Sequence, residues 1–311
     1  MINNQKVAVL GAGIAGVSAA VYLKRAGLDF TLFEPKAVGG QLLFIDQVDN
    51  YVGLPLRTKG RELAKNLSDT LAQLNIKVAG EEIEAIKVTK DNKIEIDYSS
   101  GKASFDGLIC ASGAAFKTLG IKGESEFLGR GVSYCAICDG YFFKGKEVAV
   151  VGGGNTAVEE ALYLSNIAKK VYLVHRRDGL RAMDYLQQEV RVQKNIELVF
   201  DHVVEEITGD NLVGALTVKN IKDNRVRQIK LNGVFVAIGV KPATDLLKGV
   251  INLDENGFIL TDEEMKTSCD FIWACGDCRK RPLRQLITAA AEGAIASISA
   301  CRHLKGSYIS A

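Results

Sequence analysis

The stretch Lys6-Val7-Ala8-Val9-Leu10-Gly11-Ala12-Gly13-Ile14-Ala15-Gly16, running on through a helical segment to Ala26 and then to Phe30-Thr31-Leu32-Phe33-Glu34, decides the fold. Its first five residues read as a short buried strand, its glycines as a turn, the next segment as a helix, and 30–33 as a second strand ending on an acid. Each glycine has its own reason. Gly11 permits a tight turn, Gly13 lets backbone approach a pyrophosphate, and Gly16 lets helix and strand pack closely. The helix N-terminus offers free N–H groups and positive dipole to phosphates, and Glu34 is placed to accept a hydrogen bond from a ribose hydroxyl. The whole succession, rather than the bare glycine spacing, marks a dinucleotide-binding unit.

The unit recurs. Glu147-Val148-Ala149-Val150-Val151 is again a strand and Gly152-Gly153-Gly154-Asn155-Thr156-Ala157 the turn. A helix to about Ala168 and the strand Lys170-Val171-Tyr172-Leu173-Val174 follow. Gly11 and Gly152 stand 141 positions apart, as do Glu34 and His175. The ribose-facing position therefore keeps its register and changes its chemistry: the second copy carries His175-Arg176-Arg177, with Arg181 just beyond. A carboxylate repels a 2′-phosphate, whereas guanidinium groups bind one bidentately. The first unit suits a dinucleotide without that phosphate, and the second suits NADPH. Residues 106–113 and 232–239 echo each other as apolar strands that end in small residues and glycine. Such ends make crossover points, so one unit is expected inside the other, with hinges near 113–117 and 239–244. Thr267 to Asp277 reads as a last strand ending on Gly276-Asp277, and a long Ala-rich helix is expected from near Arg284-Gln285.

A chain of 311 residues has room for about two domains of ordinary size. With 47% hydrophobic and 24% charged residues it has the profile of a globular protein with a core. A net charge of +2 points neither to nucleic acid nor to an acidic membrane surface. The 31 Gly against 4 Pro fit tight strand-to-helix turns. Residues 1–5 lead directly into a strand with no basic-then-apolar signal, and no apolar run approaches the roughly 20 residues of a membrane span. Seven cysteines without the spacing of a secreted scaffold favour a reducing cytoplasm.

Between the two units lies Ser133-Tyr134-Cys135-Ala136-Ile137-Cys138-Asp139-Gly140. Two cysteines with two residues between them form and break a small disulfide ring; they are equally half of a zinc site, or an incidental pair. Placement between two cofactor units favours an electron relay.

Together these motifs resemble the low-molecular-weight, bacterial-type thioredoxin reductases, within the pyridine-nucleotide disulfide oxidoreductases. The resemblance covers essentially the full chain. It is carried by 11–16, Gly39-Gly40-Gln41-Leu42, Asn50-Tyr51-Val52-Gly53, Ala111-Ser112-Gly113, 131–140, 152–157, 175–182, and Gly276-Asp277 with Arg284-Gln285. It implies an α/β fold of two Rossmann-like, three-layer ββα dinucleotide-binding domains, one inserted in the other. FAD would lie in 1–113 and 244–311; NADPH and the redox pair in 114–243. FAD contacts would come from Gly11, Gly13, Ile14, Ala15, Gly16, Glu34, Gly40, Gln41, Leu42, Asn50, Ile83, Ala111, Gly113, Asp277, Arg284, Gln285 and Leu286. NADPH contacts would come from Gly152, Gly154, Asn155, Thr156, His175, Arg176, Arg177 and Arg181. Cys138 would face the flavin, Cys135 would attack the disulfide of thioredoxin, and Asp139 would shuttle protons. The family further implies a homodimer, no metal, and an inserted domain that swings between half-reactions. Rivals are a reductase for another redoxin, a ferredoxin-fed flavin reductase, against which 175–177 and Arg181 argue, and a flavin redox sensor without turnover.

Three features depart from the family pattern. Ser112 replaces a threonine, and Asn155-Thr156 replaces Asp-Ser. Cys275-Gly276-Asp277-Cys278 is a second C-x-x-C, read as two small space-filling side chains, with a second redox pair or a regulatory disulfide as the alternative. Cys110, Cys269 and Cys301 read as packing residues, and His202 and His303 as surface residues with no partner.

Overall fold

The computed structural model describes residues 6–45 and 47–306. The chain divides into two compact units, Met1–Ala115 with Lys241–Ala311, and Phe116–Val240. The inserted unit leaves the outer one after Ala115 and returns at Lys241.

The outer unit is built on a parallel five-stranded sheet in the order Ile272–Ala274, Gly107–Cys110, Lys6–Leu10, Asp29–Phe33, Val78–Ala79. Alternation along the first strand sends its side chains to opposite faces. Val7 and Val9 join Leu23, Leu32, Trp273, Ala296 and Ala300 in the core beneath α1 (Ile14–Arg25) and the long C-terminal helix Leu286–Lys305. Ala8 and Leu10 join Ile94, Ile96, Phe105 and Leu108 beneath a three-stranded antiparallel sheet, Ile83–Val88, Ile94–Tyr98 and Gly101–Phe105. The result is three layers, sheet on sheet on helices. The two helices approach closely because the residues between them are small: a Cβ on Gly293 would lie 2.1 Å from the Ala15 carbonyl oxygen. A third helix, α2 (Gly60–Gln73), buries Leu63, Ala64 and Leu71.

The inserted unit repeats this plan. Its parallel sheet runs Val132–Ser133, Gly233–Val236, Glu147–Val151, Lys170–Val174, Ile196–Val199. Val148 and Val150 meet Ala157, Val158, Ala161 and Leu164 of the helix Asn155–Ser165. Ala149 and Val151 meet Leu216, Val218 and Ile229 of the antiparallel sheet His202–Gly209, Val213–Asn220, Val226–Lys230. In each unit the first strand of the glycine motif lies between the second strand and the echo strand expected from 106–113 and 232–239. Both glycine turns therefore open at the carboxyl edge of a parallel sheet, where such folds bind ligands. Among the described residues no helix is long and apolar enough to cross a membrane.

Helix bounds differ slightly from the sequence expectation. The helix after the second glycine turn stops at Ser165, short of Ala168, because Asn166 caps it and its side chain donates to the Leu162 carbonyl. The C-terminal helix begins at Leu286, one residue beyond Gln285.

Candidate active site

In the outer unit the glycine turn is held by backbone. Gly11 sits at φ +97°, and a Cβ on Gly16 would lie 1.8 Å from the Gly11 carbonyl oxygen, so neither position accepts a side chain without moving the turn. Glu34, immediately after the second strand, accepts the Ala12 N–H at 2.9 Å and the Lys36 N–H at 3.0 Å. The first turn of α1 carries no acid and no side-chain cap, which leaves its N–H groups for an anion. Gly13 faces open space and Gly40 lies against it, a Cβ there falling 3.3 Å from the Gly13 Cα. Gln41 donates to the Ala114 carbonyl at 2.7 Å and to Asp277 Oδ2 at 3.4 Å. Asn50 donates to Gln285 Oε1 at 2.9 Å. These contacts bring together residues from seven separate segments.

Asp277 follows Gly276, whose φ of +77° makes the turn. Its Oδ1 is buried without a hydrogen bond, the nearest cation being Arg281 at 3.7 Å. Burial pushes this carboxyl up, while Arg281 and Arg284 oppose the shift. A buried acceptor without a hydrogen bond, beside an uncapped helix and a glycine cradle, fits a ligand with hydroxyl and phosphate groups, as FAD has. Arg284 Nε is likewise buried without a partner, its guanidinium 4.1 Å above the Phe258 ring. Leu42 and Leu286 share a small apolar cluster, Ala111 backs the Gly11 turn, and Gly113 at φ +70° ends that segment. Ile83 is placed differently from these: it opens the antiparallel sheet, opposite Tyr98, and packs against the core between the two sheets.

One network here was not visible in the sequence. Glu292, buried on the C-terminal helix, accepts the Gly276 N–H at 2.8 Å, Arg279 at 2.6 Å and Arg281 at 2.9 Å. Arg281, also buried, donates onward to the Leu283 carbonyl at 2.7 Å, the Gln285 carbonyl at 3.2 Å and Thr288 Oγ1. A lone acid in an alanine-rich helix, with arginines upstream, was the only available signal.

In the inserted unit, Gly152 to Thr156 lead into a helix that again lacks both a side-chain cap and a first-turn acid. Asn155 accepts the Met183 N–H at 2.9 Å, tying the turn to the segment after Arg181. His175 is buried under the turn, and a Cβ on Gly153 would lie 2.3 Å from its Nδ1. Its Nε2 has no hydrogen bond, and burial together with Arg181, Arg177 and Arg176 pushes its pKa down. The three arginines are exposed at the same end of the sheet. This open basic edge beside an uncapped helix fits a phosphorylated dinucleotide.

Cys135 and Cys138 are joined in a disulfide, Cα atoms 5.3 Å apart. Cys135 caps the short helix Ala136–Asp139, and its Sγ accepts the Cys138 N–H at 3.2 Å. Ser133, buried on the preceding strand, donates to Asp139 Oδ2 at 2.5 Å and accepts the Cys135 N–H at 3.1 Å. It fixes the acid relative to the sulfur. Such a charge-assisted bond is worth about 1.5–3 kcal/mol. Ser133→Ala is therefore expected to slow disulfide exchange about tenfold and flatten its pH profile; an unchanged profile in stopped-flow assays refutes this positioning role.

Cys275 and Cys278 are separate buried thiols. Cys278 donates to the Cys275 carbonyl at 3.3 Å and to the Cys110 carbonyl at 3.5 Å. The hydrogen bond with Cys110, then burial, push the Cys278 thiol up; burial does the same to Cys275. Neither has the features of a reactive thiol. Of the two histidines read as partnerless surface residues, His303 is exposed as expected but packs edge-on against Phe271 and Trp273, whereas His202 is half-buried with its Nδ1 2.5 Å from the Phe200 carbonyl oxygen. Among the described residues no group of three His, Cys, Asp or Glu side chains forms a metal site.

Paired glycine turns on two parallel sheets, with a C-x-x-C disulfide in the inserted unit, define a two-nucleotide disulfide oxidoreductase. The chain belongs to the pyridine nucleotide-disulphide oxidoreductase family, whose model matches residues 5–293. It is 40% identical over 309 residues to the thioredoxin reductase of Treponema pallidum (strain Nichols), covering 99% of this chain and 98% of that one. Among solved structures, thioredoxin reductase from Streptococcus pyogenes MGAS5005 superposes with a TM-score of 0.92 at 36% identity, covering 98% of this chain and 100% of that one. That from Giardia duodenalis gives 0.90 at 34%, covering 96% and 99%.

Proposed function

We propose that this protein is an NADPH-dependent thioredoxin reductase that uses FAD and the Cys135–Cys138 disulfide. The observation that carries this is the disulfide, closed in the same unit as the basic nucleotide turn and held beside Asp139 by Ser133. FAD, when bound, supplies two-electron transfer from NADPH to the disulfide. The outer unit holds it through Gly11, Gly13, Gly16, Glu34, Gln41, Asn50, Asp277 and Gln285. The inserted unit holds NADPH through Gly154, Thr156, Arg176, Arg177 and Arg181. Reduction breaks the S–S bond; Asp139 moves protons to and from the sulfurs, and Cys135 as thiolate attacks the partner disulfide. Ile137, Tyr141 and Phe142 stand exposed beside the pair, as docking of a protein disulfide requires. The family resemblance supports a homodimer and a swinging inserted unit, and five free cysteines fit a reducing cytoplasm.

Anaerobic titration is the test. NADPH should bleach the flavin absorbance, and oxidised thioredoxin should restore it; a flavin that NADPH does not bleach overturns the reading. Nucleotide choice follows from the basic edge. Replacing Arg176 and Arg177 by Ala should raise KM for NADPH roughly ten- to hundredfold, at about 1.5–3 kcal/mol for a lost charged contact, and leave KM for NADH alone. Equal losses for both nucleotides would place the arginines elsewhere than on the 2′-phosphate.

A further inference from the structure

Glu160 is a half-buried acid, one of its carboxyl oxygens fully buried, with no task in the electron path above. It lies on the helix Asn155–Ser165, three residues after Ala157, the spacing that turns it toward the buried face. Its Oε1 accepts the Ala136 N–H at 3.3 Å, and its Oε2 is buried without a hydrogen bond. The Ala136 nitrogen is bonded to the carbonyl carbon of Cys135, so the carboxyl lies against the redox turn. Two N–H groups of that turn are committed in opposite senses. That of Cys138 points at Cys135 Sγ and favours negative charge there; that of Ala136 is taken by Glu160.

We propose that Glu160 is a positioning acid of the redox turn, sharing one negative charge with the reduced Cys135 and so setting the pH at which that sulfur becomes a nucleophile. The inference deepens the reading of Cys135–Cys138 as the redox pair and rests on it. Two electrons from the flavin route break the S–S bond. The sulfurs then take up two protons if both end as thiols, and one if Cys135 stays a thiolate. A thiolate on Cys135 and a carboxylate hydrogen-bonded to the N–H of the next residue repel, so ionisation of one disfavours ionisation of the other. Burial, reinforced by Glu159, lifts Glu160 to about 7 while the Ala136 N–H opposes it. Above that pH an ionised Glu160 defers thiolate formation to higher pH; below it the carboxyl is neutral and does not.

The neighbouring titratable groups are few. Glu159 precedes Glu160 on its own helix, and Asp139, Cys135 and Cys138 belong to the redox turn. Asp139 is engaged by Ser133. The helix Asp184–Val192 meets the Glu160 helix through apolar Leu186 and Val190. On the strands beneath, Glu147 pairs with Lys169 and Tyr172, and Lys170 with Glu197.

The test uses the holoenzyme, reduced with a phosphine and alkylated with iodoacetamide between about pH 6 and 9, with Cys135 labelling read by peptide mass spectrometry. Glu160→Gln, neutral at every pH, should shift the labelling profile about one unit lower, roughly a fivefold to tenfold faster reaction near neutrality. Superimposable profiles overturn the proposal. Infrared difference spectra of the unaltered protein give a second measurement that needs no folded variant. Reduction near neutral pH should increase a protonated-carboxyl band, and a flat carboxyl region overturns the proposal. Thioredoxin reduction is assayed in parallel. Wild-type protein that shows the labelling shift against Glu160→Gln yet passes no electrons from NADPH to thioredoxin would uphold Glu160 and overturn the functional reading instead.

Discussion

Cys135→Ser and Cys138→Ser should each reduce NADPH-driven thioredoxin reduction to the uncatalysed background while NADPH still bleaches the flavin. The relay needs both sulfurs, because a two-electron disulfide cannot be carried on one. Serine at 135 keeps a hydrogen-bond acceptor for the Cys138 N–H, now 3.2 Å from sulfur, so the turn should persist. The alcohol is not ionised near neutrality and does not attack a disulfide, whereas the thiolate does. The two half-reactions then separate experimentally. Electron delivery from NADPH to a small acceptor such as ferricyanide should survive in both variants, because it needs no sulfur. Undiminished thioredoxin reduction in either variant would remove the disulfide from the path.

Glu292→Gln should have the second-largest effect, on the outer unit. The variant loses the charge that compensates two arginines, one of them almost wholly buried. Breaking a buried pair from one side costs about 3–5 kcal/mol, because the remaining charge is stranded. At about 2–4 °C per kcal/mol for a domain of this size, the melting temperature should fall by roughly 6–20 °C. FAD retention should fall with it, since Glu292 holds the Gly276 N–H and, through Arg281, the Gln285 carbonyl. Differential scanning calorimetry and flavin content after desalting measure the two. A variant that melts at the parent temperature with full flavin would show that the turn is held by something else.

The sequence carried the parts of this molecule that are local. Glycine turns, the strand before each, and the acid or basic cluster after each depend on neighbours along the chain; the 141-residue echo revealed the repeat, and the paired strand ends at 106–113 and 232–239 pointed to the nesting. The packing of each sheet followed, because alternation in 6–10 and 147–151 assigns both faces. Interactions closed through space were not legible. The role of Ser133 emerges only where its hydroxyl meets Asp139, and that of Glu160 only where its carboxyl meets the Ala136 N–H. The second C-x-x-C shows the same limit from the other side. Its spacing matches the redox pair, yet Cys278 spends its proton on two carbonyls and lies buried. The folded surroundings, not the spacing, decide which pair does chemistry.

Where the outer chain breaks off and resumes, its loose ends touch. The Ala243 N–H donates to the Gly113 carbonyl at 3.0 Å, and the Ser112 hydroxyl reaches the Ala243 carbonyl at 2.6 Å. A peptide link of two or three residues spans such a gap, so the flanking module is whole in space though severed in sequence. Carrying the insertion at this seam leaves every strand of the host sheet in place.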